Sequence, residues 1–267
     1  PATPIVTRLL FMSSSALSFM DSTTSSPISI DAEQVQKESA ELTILGAGAW
    51  GTALAQLVEK NDHTVCLWSR RAAITLAEAV AGSHVILSAV SMKGVPAVAA
   101  QLKAAGIPRE TILVTATKGL DPETTRTPSQ IFQDTFPDNP VVVLSGPNLS
   151  KEIEQGLPSA TVAASTHPEA AEAVQYLFAS EIFRVYSSPD PLGAELGGTL
   201  KNIIAIAVGV CEGLALGSNA RSALMTRALP EMIRIGTHLG GQAETFVGLS
   251  GLGDMLATCT SVLSRNY

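Results

Sequence analysis

Two lysines occur in contexts that ordinary surface lysines do not have. Lys118 follows the apolar run 112–116, and Lys201 lies among Leu, Ile and Ala in a segment with helical spacing. An amino group held among apolar side chains and near a second cation has a lowered pKa. Such a lysine releases its proton more readily, which suits a general acid or base. A neighbouring cation would also stabilise negative charge that develops on a substrate oxygen.

Further polar residues follow apolar segments where α/β proteins bind ligands. Ser145, Gly146 and Asn148 come directly after the predicted strand 141–144, as Lys118 follows the predicted strand 112–116. The carboxyl ends of parallel strands meet at one edge of a sheet, where open α/β sheets bind ligands. Other polar residues lie beside Lys201 or near the end of the chain: Asn202, Asp254, Thr258, Ser264, Arg265 and Asn266.

A glycine-rich turn indicates a dinucleotide site. Gly46, Gly48 and Gly51 form G-x-G-x-x-G directly after the β-type run 42–45 and before a helix predicted over 52–60. The first glycine permits a tight turn, the second lets the backbone approach a pyrophosphate, and the third lets helix and strand pack closely. The diphosphate would lie on the free N–H groups at the helix N-terminus. We therefore predict binding of NAD or NADP rather than a merely structural turn.

The second predicted strand ends in Ser69-Arg70-Arg71, which bears on the choice of cofactor. An NAD-selective site usually places Asp or Glu here to bind the ribose 2′-hydroxyl, and neither is present. Arg70 or Arg71 could face the 2′-phosphate of NADP, although an arginine on a solvated turn explains one of them nearly as well. We expect NADP to be tolerated, without excluding NAD.

Alternating strand and helix patterns predict the elements that position these residues. The predicted strands cover 42–45, 64–68, 85–90, 112–116, 141–144, 160–164 and 183–186, and the predicted helices cover 52–60, 76–81, 94–105 and 168–180. This alternation predicts an α/β fold with an N-terminal Rossmann-type parallel sheet. From residue 192 onward only helical spacing occurs. We therefore predict a cofactor-binding domain over 41–188 and a mainly α-helical substrate domain over 189–267.

Composition excludes several classes of function. The chain has 267 residues, of which 46% are hydrophobic and only 4% aromatic, which suits helices packed on buried parallel strands. A net charge of -7 argues against a nucleic-acid partner, because phosphate contacts need clustered Lys and Arg. The three cysteines have no metal or disulfide spacing, so we expect small buried thiols and no metal. No apolar run is long enough to predict a membrane span.

Residues 1–40 differ in composition from the rest of the chain. The first thirty residues contain twelve Ser or Thr, one basic residue (Arg8) and one acidic residue (Asp21). This stretch has too little apolar surface to fold alone. It is equally typical of an organelle transit peptide and of a disordered leader. We expect the protein in the cytosol, or in the plastid stroma if residues 1–40 are a transit peptide.

Six strings, in order, resemble the NAD(P)-dependent glycerol-3-phosphate dehydrogenases of the bacterial and plastid type. They are Gly-Ala-Gly-Ala-Trp-Gly-Thr (46–52), Ala-Thr-Lys-Gly (116–119), Ser-Gly-Pro-Asn (145–148), Leu-Lys-Asn-Ile (200–203), Gly-Leu-Gly-Asp (251–254) and Thr-Cys-Thr-Ser with Ser-Arg-Asn (258–266). The resemblance implies reversible hydride transfer between NAD(P)H and dihydroxyacetone phosphate, giving sn-glycerol 3-phosphate. Such a reaction feeds glycerophospholipid synthesis and carbohydrate metabolism. We also expect a homodimer.

The resemblance also implies a role for each site residue. Lys201 would be the general acid in reduction and the base in oxidation, with Lys118 as the neighbouring cation. Asp254 would accept a hydrogen bond from the substrate hydroxyl or hold Lys201 in place. The other expected substrate-binding residues are Gly146, Asn148, Asn202, Thr258, Ser264, Arg265 and Asn266, the last two at the phosphate. The expected cofactor-binding residues are Gly46, Gly48, Ala49, Trp50, Gly51, Arg70, Lys118, Ser150 and Arg265.

The chain departs from the family at two places. Only four residues separate Arg71 from Leu76, where the family has a helix, a loop and a short strand. The family also continues beyond the Ser-Arg-Asn string, so we expect an incomplete second domain, helix faces within 192–238 open to water, and weak activity or low solubility.

Two alternative functions stay open. One is a truncated, inactive cofactor-binding relative, and the other is a two-domain dehydrogenase for β-hydroxyacids or ketopantoate, which would not require Ser-Arg-Asn or Gly-Leu-Gly-Asp.

Overall fold

The computed structural model describes residues 42–261 and 263–264. The predictions for residues 1–40, for Arg265 and for Asn266 lie outside the described residues. Seven strands form one sheet: β1 (Leu42–Leu45), β2 (Val65–Trp68), β3 (Val85–Ser88), β4 (Ile112–Thr115), β5 (Val141–Ser145), β6 (Ser159–Ala164) and β7 (Phe183–Ser188). The helices are α1 (Ala49–Lys60), α2 (Leu76–Val80), α3 (Val95–Ala105), α4 (Pro128–Thr135), α5 (Ser150–Glu154), α6 (Pro168–Phe178), α7 (Pro191–Gly213), α8 (Gly217–His238), α9 (Ala243–Val247) and α10 (Asp254–Thr260).

The strand order explains where a ligand can bind. The order is β2-β1-β3-β4-β5-β6-β7, with β1 paired in parallel to β2 on one side and to β3 on the other. The chain therefore leaves β1 toward one edge of the sheet and returns to its other side, which opens a crevice at the carboxyl ends of β1 and β3. This arrangement confirms the predicted Rossmann-type α/β fold.

Two strands, β6 and β7, run against the predicted parallel pattern. β6 is antiparallel to β5, whereas β7 is parallel to β6. The helix between β5 and β6 is α5, which has only five residues. A helix that short advances about 7 Å along its axis. Strands of five or six residues extend more than twice as far, so α5 cannot return the chain to the opposite end of the sheet.

The sheet is buried on both faces, as parallel sheets usually are. Ile44 packs into a cluster with α1 and α6, while Leu45 packs into a second cluster with α2, α3 and α4. Neighbouring residues of a strand point to opposite faces, so one short apolar run serves both clusters.

The sequence patterns missed α4 and α5. The start of α4 nevertheless carries a capping signal, because Thr127 is the N-cap, Pro128 follows at the first helical position, and Gln130 completes a capping box. The segment has only eight residues, and we predicted no element between β4 and β5.

The residues after β7 are helical, as predicted. α7 and α8 pack along each other, and α7 also contacts β5, β6 and α10. Their shared core contains Leu196, Ile204, Val208, Phe246 and Met255. One stripe of α7 is open to solvent, with Ile203 at 70% and Ile206 at 58% exposure, as expected for helix faces in this region.

α7 is also the one helix of the described residues that is long and apolar enough to cross a membrane by length and composition. A core helix of a soluble protein passes the same test, so the indication is weak.

Among the described residues, no three His, Cys, Asp or Glu side chains lie close enough to hold a metal ion. Cys259 is buried, but Cys66 and Cys211 are partly exposed, so the expectation of three buried thiols was wrong for two of them. Cys66 lies on β2 at the sheet edge, and Cys211 lies in the last turns of α7.

Candidate active site

The glycine-rich turn has the close contacts that its spacing predicts. Gly46 has φ +119°, a left-handed conformation that favours glycine, and a Cβ there would lie 2.8 Å from the carbonyl oxygen of Ala89. A Cβ on Gly51 would lie 1.9 Å from the carbonyl oxygen of Gly46. By contrast, no described atom lies within 4 Å of a Cβ built on Gly48. The first and third glycines are therefore needed for close packing within the turn, whereas the backbone at the second glycine is accessible to a ligand.

The start of α1 fits a dinucleotide diphosphate. Gly48 is the N-cap of α1, no described side chain caps the helix, and its first turn carries no acidic residue. The first N–H groups of a helix need partners from outside it, and the positive end of the helix dipole favours an anion. The NAD(P) cofactor of the predicted site therefore matches the residues present.

A cleft of about 850 Å³ opens at the carboxyl ends of the strands beside this turn. It is bounded by the start of α1, the segments after β3, β4 and β5, and residues of α7 and α10. Ten residues predicted for the site line it: Gly48, Ala49, Trp50, Lys118, Asn148, Ser150, Lys201, Asn202, Thr258 and Ser264. The fold thus brings together predicted cofactor and substrate residues that lie as far apart in sequence as Gly48 and Ser264.

One carboxylate connects the two lysines of the cleft. Lys201 Nζ lies 2.5 Å from Asp254 Oδ1, and Lys118 Nζ lies 2.5 Å from Asp254 Oδ2. Lys201 also donates to Thr258 Oγ1 at 2.5 Å. The Lys201 and Asp254 side chains are almost fully buried, whereas 31% of the Lys118 side chain is exposed. Asp254 thus holds together two amino groups that line the cleft, as expected for a residue that fixes Lys201.

Local structure places each member of this cluster. Asp254 and Thr258 lie one helical turn apart on α10, so both face the same amino group. A π-helical turn, Leu249–Gly253, leads into α10. Its Gly251 packs where a Cβ would lie 2.1 Å from the carbonyl oxygen of Phe246. Irregular helical turns of this kind often occur at functional sites.

Small residues let α7 approach the cluster closely. A Cβ on Gly197 would lie 2.7 Å from the carbonyl oxygen of Ser250, and one on Gly198 would lie 3.4 Å from Lys118 Cε. Thr199 Oγ1 accepts a hydrogen bond from Gly119 N at 3.0 Å. The segment of α7 before Lys201 is therefore in direct contact with the loop that carries Lys118.

The comparisons with known proteins agree with this geometry. The NAD-dependent glycerol-3-phosphate dehydrogenase N-terminus profile matches residues 41–75 and 71–171, and the corresponding C-terminus profile matches residues 190–267. A glycerol-3-phosphate dehydrogenase [NAD(P)+] of Acaryochloris marina is 68% identical over 226 residues, covering 85% of this chain and 73% of that protein. The Synechocystis protein of the same name is 64% identical, covering 85% of this chain and 72% of that protein. A crystal structure of glycerol-3-phosphate dehydrogenase from Coxiella burnetii has a TM-score of 0.82 at 35% identity, covering 85% of this chain and 78% of that one.

The chain belongs to the glycerol-3-phosphate dehydrogenase family. The predicted resemblance is thereby confirmed. The two N-terminal family matches overlap at residues 71–75, where we expected the family's longer insert to be missing. In the structure, the turn after β2 leads through these residues directly into α2.

The environment of Lys201 fits proton transfer in a dehydrogenase of this family. The pKa of Lys201 is lowered from 10.5 to about 8, mainly by burial and also by the charge of Lys118, whereas Asp254 acts in the opposite direction. The predicted lowering of this pKa by an apolar helix and by Lys118 is confirmed. A group with a pKa near 8 can both give and take a proton close to neutral pH.

Some predicted site residues lie elsewhere. Gly46 and Gly51 form the turn itself, and Asp254 bonds Lys118 and Lys201 without itself lining the cleft. Arg70 lies on the exposed turn after β2 and does not line this cleft. Gly146 faces β6, where a Cβ would lie 2.9 Å from Thr161 Cα. Their cofactor and substrate roles stay predictions.

The structure adds detail for one predicted residue of the cleft and shows another that the sequence analysis did not predict. Asn148 lines the cleft, but its amide is bonded to β6, with Nδ2 3.1 Å from the Ala160 carbonyl oxygen and Oδ1 2.9 Å from Thr161 Oγ1. Lys151 lines the cleft beside Ser150 and was not predicted. Its position three residues after the string Ser145-Gly146-Pro147-Asn148 was the available signal.

Proposed function

We propose that this chain catalyses the reversible reduction of dihydroxyacetone phosphate to sn-glycerol 3-phosphate with NADH or NADPH, and that Lys201 transfers the proton. One observation carries the proposal: a buried carboxylate holds together two amino groups that line the same cleft as the dinucleotide turn. A bound nicotinamide would supply the hydride or accept it.

The residues of the chain then have defined tasks. In reduction, Lys201 Nζ donates a proton to the oxygen of the former carbonyl group, and in oxidation it removes that proton from the hydroxyl. Lys118 contributes a second positive charge near this oxygen, where it stabilises the developing alkoxide. Asp254 keeps the Lys201 amino group oriented through Oδ1, while Thr258 accepts a second hydrogen bond from it.

The substrate phosphate needs donors that the cleft can provide. We assign it to Ser264, Arg265 and Asn266, since a guanidinium offers forked donors for phosphate oxygens. Asn202 and Thr258, which line the cleft, and Gly146 and Asn148, which follow β5, would bind the rest of the small substrate.

We assign the cofactor to the first part of the chain, over 41–188, and the substrate to the part over 189–267. The diphosphate would lie on Gly48, Ala49 and Trp50 at the start of α1, with Lys118, Ser150 and Arg265 nearer the nicotinamide. Arg70 would bind the 2′-phosphate if the cofactor is NADP. Replacing Arg70 by Ala should then weaken NADPH binding and leave NADH binding unchanged.

We also propose that two copies of the chain form a dimer and act in the cytosol, or in the plastid stroma if residues 1–40 are a transit peptide. The similar proteins of Acaryochloris and Synechocystis support a small phosphorylated substrate by their names. Size-exclusion chromatography with light scattering tests the dimer, and a fluorescent fusion of the full sequence tests the location.

The test of the activity is an assay of NADH or NADPH oxidation with dihydroxyacetone phosphate, a β-hydroxyacid pair and ketopantoate as competing substrates. We expect turnover with dihydroxyacetone phosphate and its loss in Lys201→Ala. The matched control is Lys103→Ala, which changes an exposed lysine on α3. Cofactor binding by fluorescence without turnover of dihydroxyacetone phosphate would support the inactive relative and reject the proposal.

A further inference from the structure

A second buried carboxylate lies on the same helix as Lys201 and takes no part in the chemistry described above. Glu195 is on the second turn of α7, six residues before Lys201, and only 2% of it is exposed. Six helical residues span about 9 Å along the axis, and they rotate the two side chains to different faces of the helix. Glu195 therefore faces away from the cleft while Lys201 faces Asp254.

The Glu195 carboxylate binds the N-terminus of α4. Ser129 N donates to Glu195 Oε1 at 3.0 Å, and Ser129 Oγ donates to Oε2 at 2.5 Å. Pro128 has no N–H to offer, and Gln130 N is already bonded to Thr127 Oγ1 at 3.4 Å. Glu195 thus accepts a hydrogen bond from the N–H group in the first turn of α4 that the capping box does not bond. The carboxylate lies at the N-terminus of α4, where the helix dipole favours negative charge.

This contact ties α7 to the sheet. α4 packs against α3, β4 and β5, so the N-terminus of α4 is fixed to the part of the fold that carries Lys118. Between Glu195 and Lys201, α7 passes Gly197 and Gly198, which touch the backbone of Ser250 and the side chain of Lys118. Because α7 packs this closely, Lys201 keeps its position only while the distance between α7 and the sheet stays fixed.

We propose that Glu195 is a positioning residue for proton transfer, which fastens α7 to α4 and so holds the Lys201 amino group beside Lys118 and Asp254. This inference rests on the proposed role of Lys201. It explains why a carboxylate is buried at the contact between α7 and α4. A buried charged group of this kind is rarely a net source of stability, because the loss of hydration offsets most of the gain from its partners.

The experiment compares Glu195→Ala, Glu195→Gln and Ser129→Ala with the wild-type chain. Gln keeps the acceptor for Ser129 N, so it is the conservative variant, and Ser129→Ala removes one partner with little risk to folding. The matched control is Glu212→Gln, which removes a partly exposed ion-pair partner of Arg221 from the other end of α7. Each variant is assayed for kcat, KM, the dissociation constant of NADPH and the pH profile.

We expect Glu195→Ala to lower kcat roughly 10- to 100-fold, since small displacements of a catalytic group cost that much. Ser129→Ala should lower kcat less, Glu195→Gln should recover most of it, and NADPH binding should change little. The groups that face Lys201 are Lys118, Asp254, Thr258 and Cys259. A loosened α7 admits water to them, so the alkaline limb set by Lys201 should move to higher pH in Glu195→Ala and Ser129→Ala.

A merely structural role predicts a different result. It gives less folded protein, with kcat per folded molecule within about twofold of wild type and an unmoved alkaline limb, as for most surface substitutions. That outcome, or failure of Glu195→Gln to recover activity, would overturn the proposal.

A second readout does not need turnover. We expect an amine-selective acylating reagent, followed by mass spectrometry, to label Lys201 faster in Glu195→Ala and Ser129→Ala than in wild type and Glu212→Gln. Equal labelling rates would reject the positioning role even if the chain turned over no dihydroxyacetone phosphate. An inactive wild-type chain with the expected labelling pattern would instead reject only the proposed function.

Discussion

Lys201 and Asp254 form an ion pair that is almost fully buried, with 7% and 3% of their side chains exposed. The other oxygen of Asp254 contacts Lys118, so a single negative charge faces two positive charges. The cluster therefore carries an excess of positive charge beside the cleft, which would stabilise negative charge on the oxygen of a carbonyl group during its reduction.

Replacing Asp254 by Asn should impair both chemistry and folding. The change leaves two amino groups close together without their counter-charge, so we expect kcat to fall roughly 100-fold, the lower range for loss of general acid–base catalysis. Removing one partner of a buried pair should also lower the free energy of unfolding by on the order of 3 kcal/mol. Kinetics and urea unfolding measure the two effects.

The same variant has a directional pH signature. Asp254 raises the pKa of Lys201, so its removal should move the alkaline limb of the pH profile to lower pH. Asp134→Asn is the control, because it removes an exposed ion pair with Arg126. A limb that stays in place would show that Asp254 does not act on the group that sets it.

The two directions of the reaction should depend on pH in opposite ways. Reduction needs protonated Lys201, whose pKa is lowered from 10.5 to about 8, so kcat/KM for dihydroxyacetone phosphate should fall as the pH rises through that value. Oxidation of sn-glycerol 3-phosphate needs the neutral amine and should rise over the same interval. Stopped-flow measurements at saturating cofactor check both limbs, and parallel profiles in the two directions would argue against Lys201.

The sequence was sufficient to predict the parts of the site that depend on local context. Lys118 and Lys201 each interrupt an apolar pattern, and the glycine turn follows a strand, so the sequence singled them out as candidate site residues. The roles of the two lysines came from the resemblance to the family. The bridge through Asp254 was not derivable in the same way, because it depends on how α10 packs on α7 across 53 residues. Resemblance suggested that Asp254 holds Lys201, and the fold supplies the contact.

Other features required the folded chain. The reversal at β6 depends on the length of α5, and α5 itself is too short to have a clear periodicity. The sequence analysis did not single out Glu195, because an acidic residue near the start of a helix is not unusual. The available signal was the combination of one charge among apolar residues with a capping sequence at Thr127, and only tertiary packing joins those two segments.

Glu195 should make the stability of the protein depend on pH near neutrality. Burial raises its pKa from 4.5 to about 7, against the opposing effect of hydrogen bonds from Ser129 and Thr127. The folded state therefore binds this proton more tightly than the unfolded state, so the contribution is fully present below about pH 4.5 and is lost as the pH rises through 7. At about 1.4 kcal/mol per pKa unit, the loss is on the order of 3 kcal/mol.

Urea unfolding of wild type and Glu195→Gln between pH 5 and pH 8 measures this contribution. The neutral amide resembles the protonated acid, so the variant should lose less stability over the interval than wild type does. Identical pH dependences in the two proteins would mean that Glu195 keeps an ordinary pKa in the folded state.

Two alanine substitutions in the dinucleotide turn should separate packing from binding. A Cβ on Gly51 would lie 1.9 Å from the backbone oxygen of Gly46, which cannot move without opening the turn. Gly51→Ala should therefore lower the free energy of unfolding by about 1–3 kcal/mol, the usual cost of overpacking, and weaken cofactor binding as well.

A Cβ on Gly48 meets no described atom within 4 Å, and its φ of -86° suits alanine. Gly48→Ala should therefore leave the melting temperature unchanged and weaken only the cofactor, because its methyl group occupies the space where the diphosphate must approach the backbone. Thermal unfolding and NADPH fluorescence titration on the same samples distinguish the two effects, and normal NADPH affinity in Gly48→Ala would place the diphosphate elsewhere.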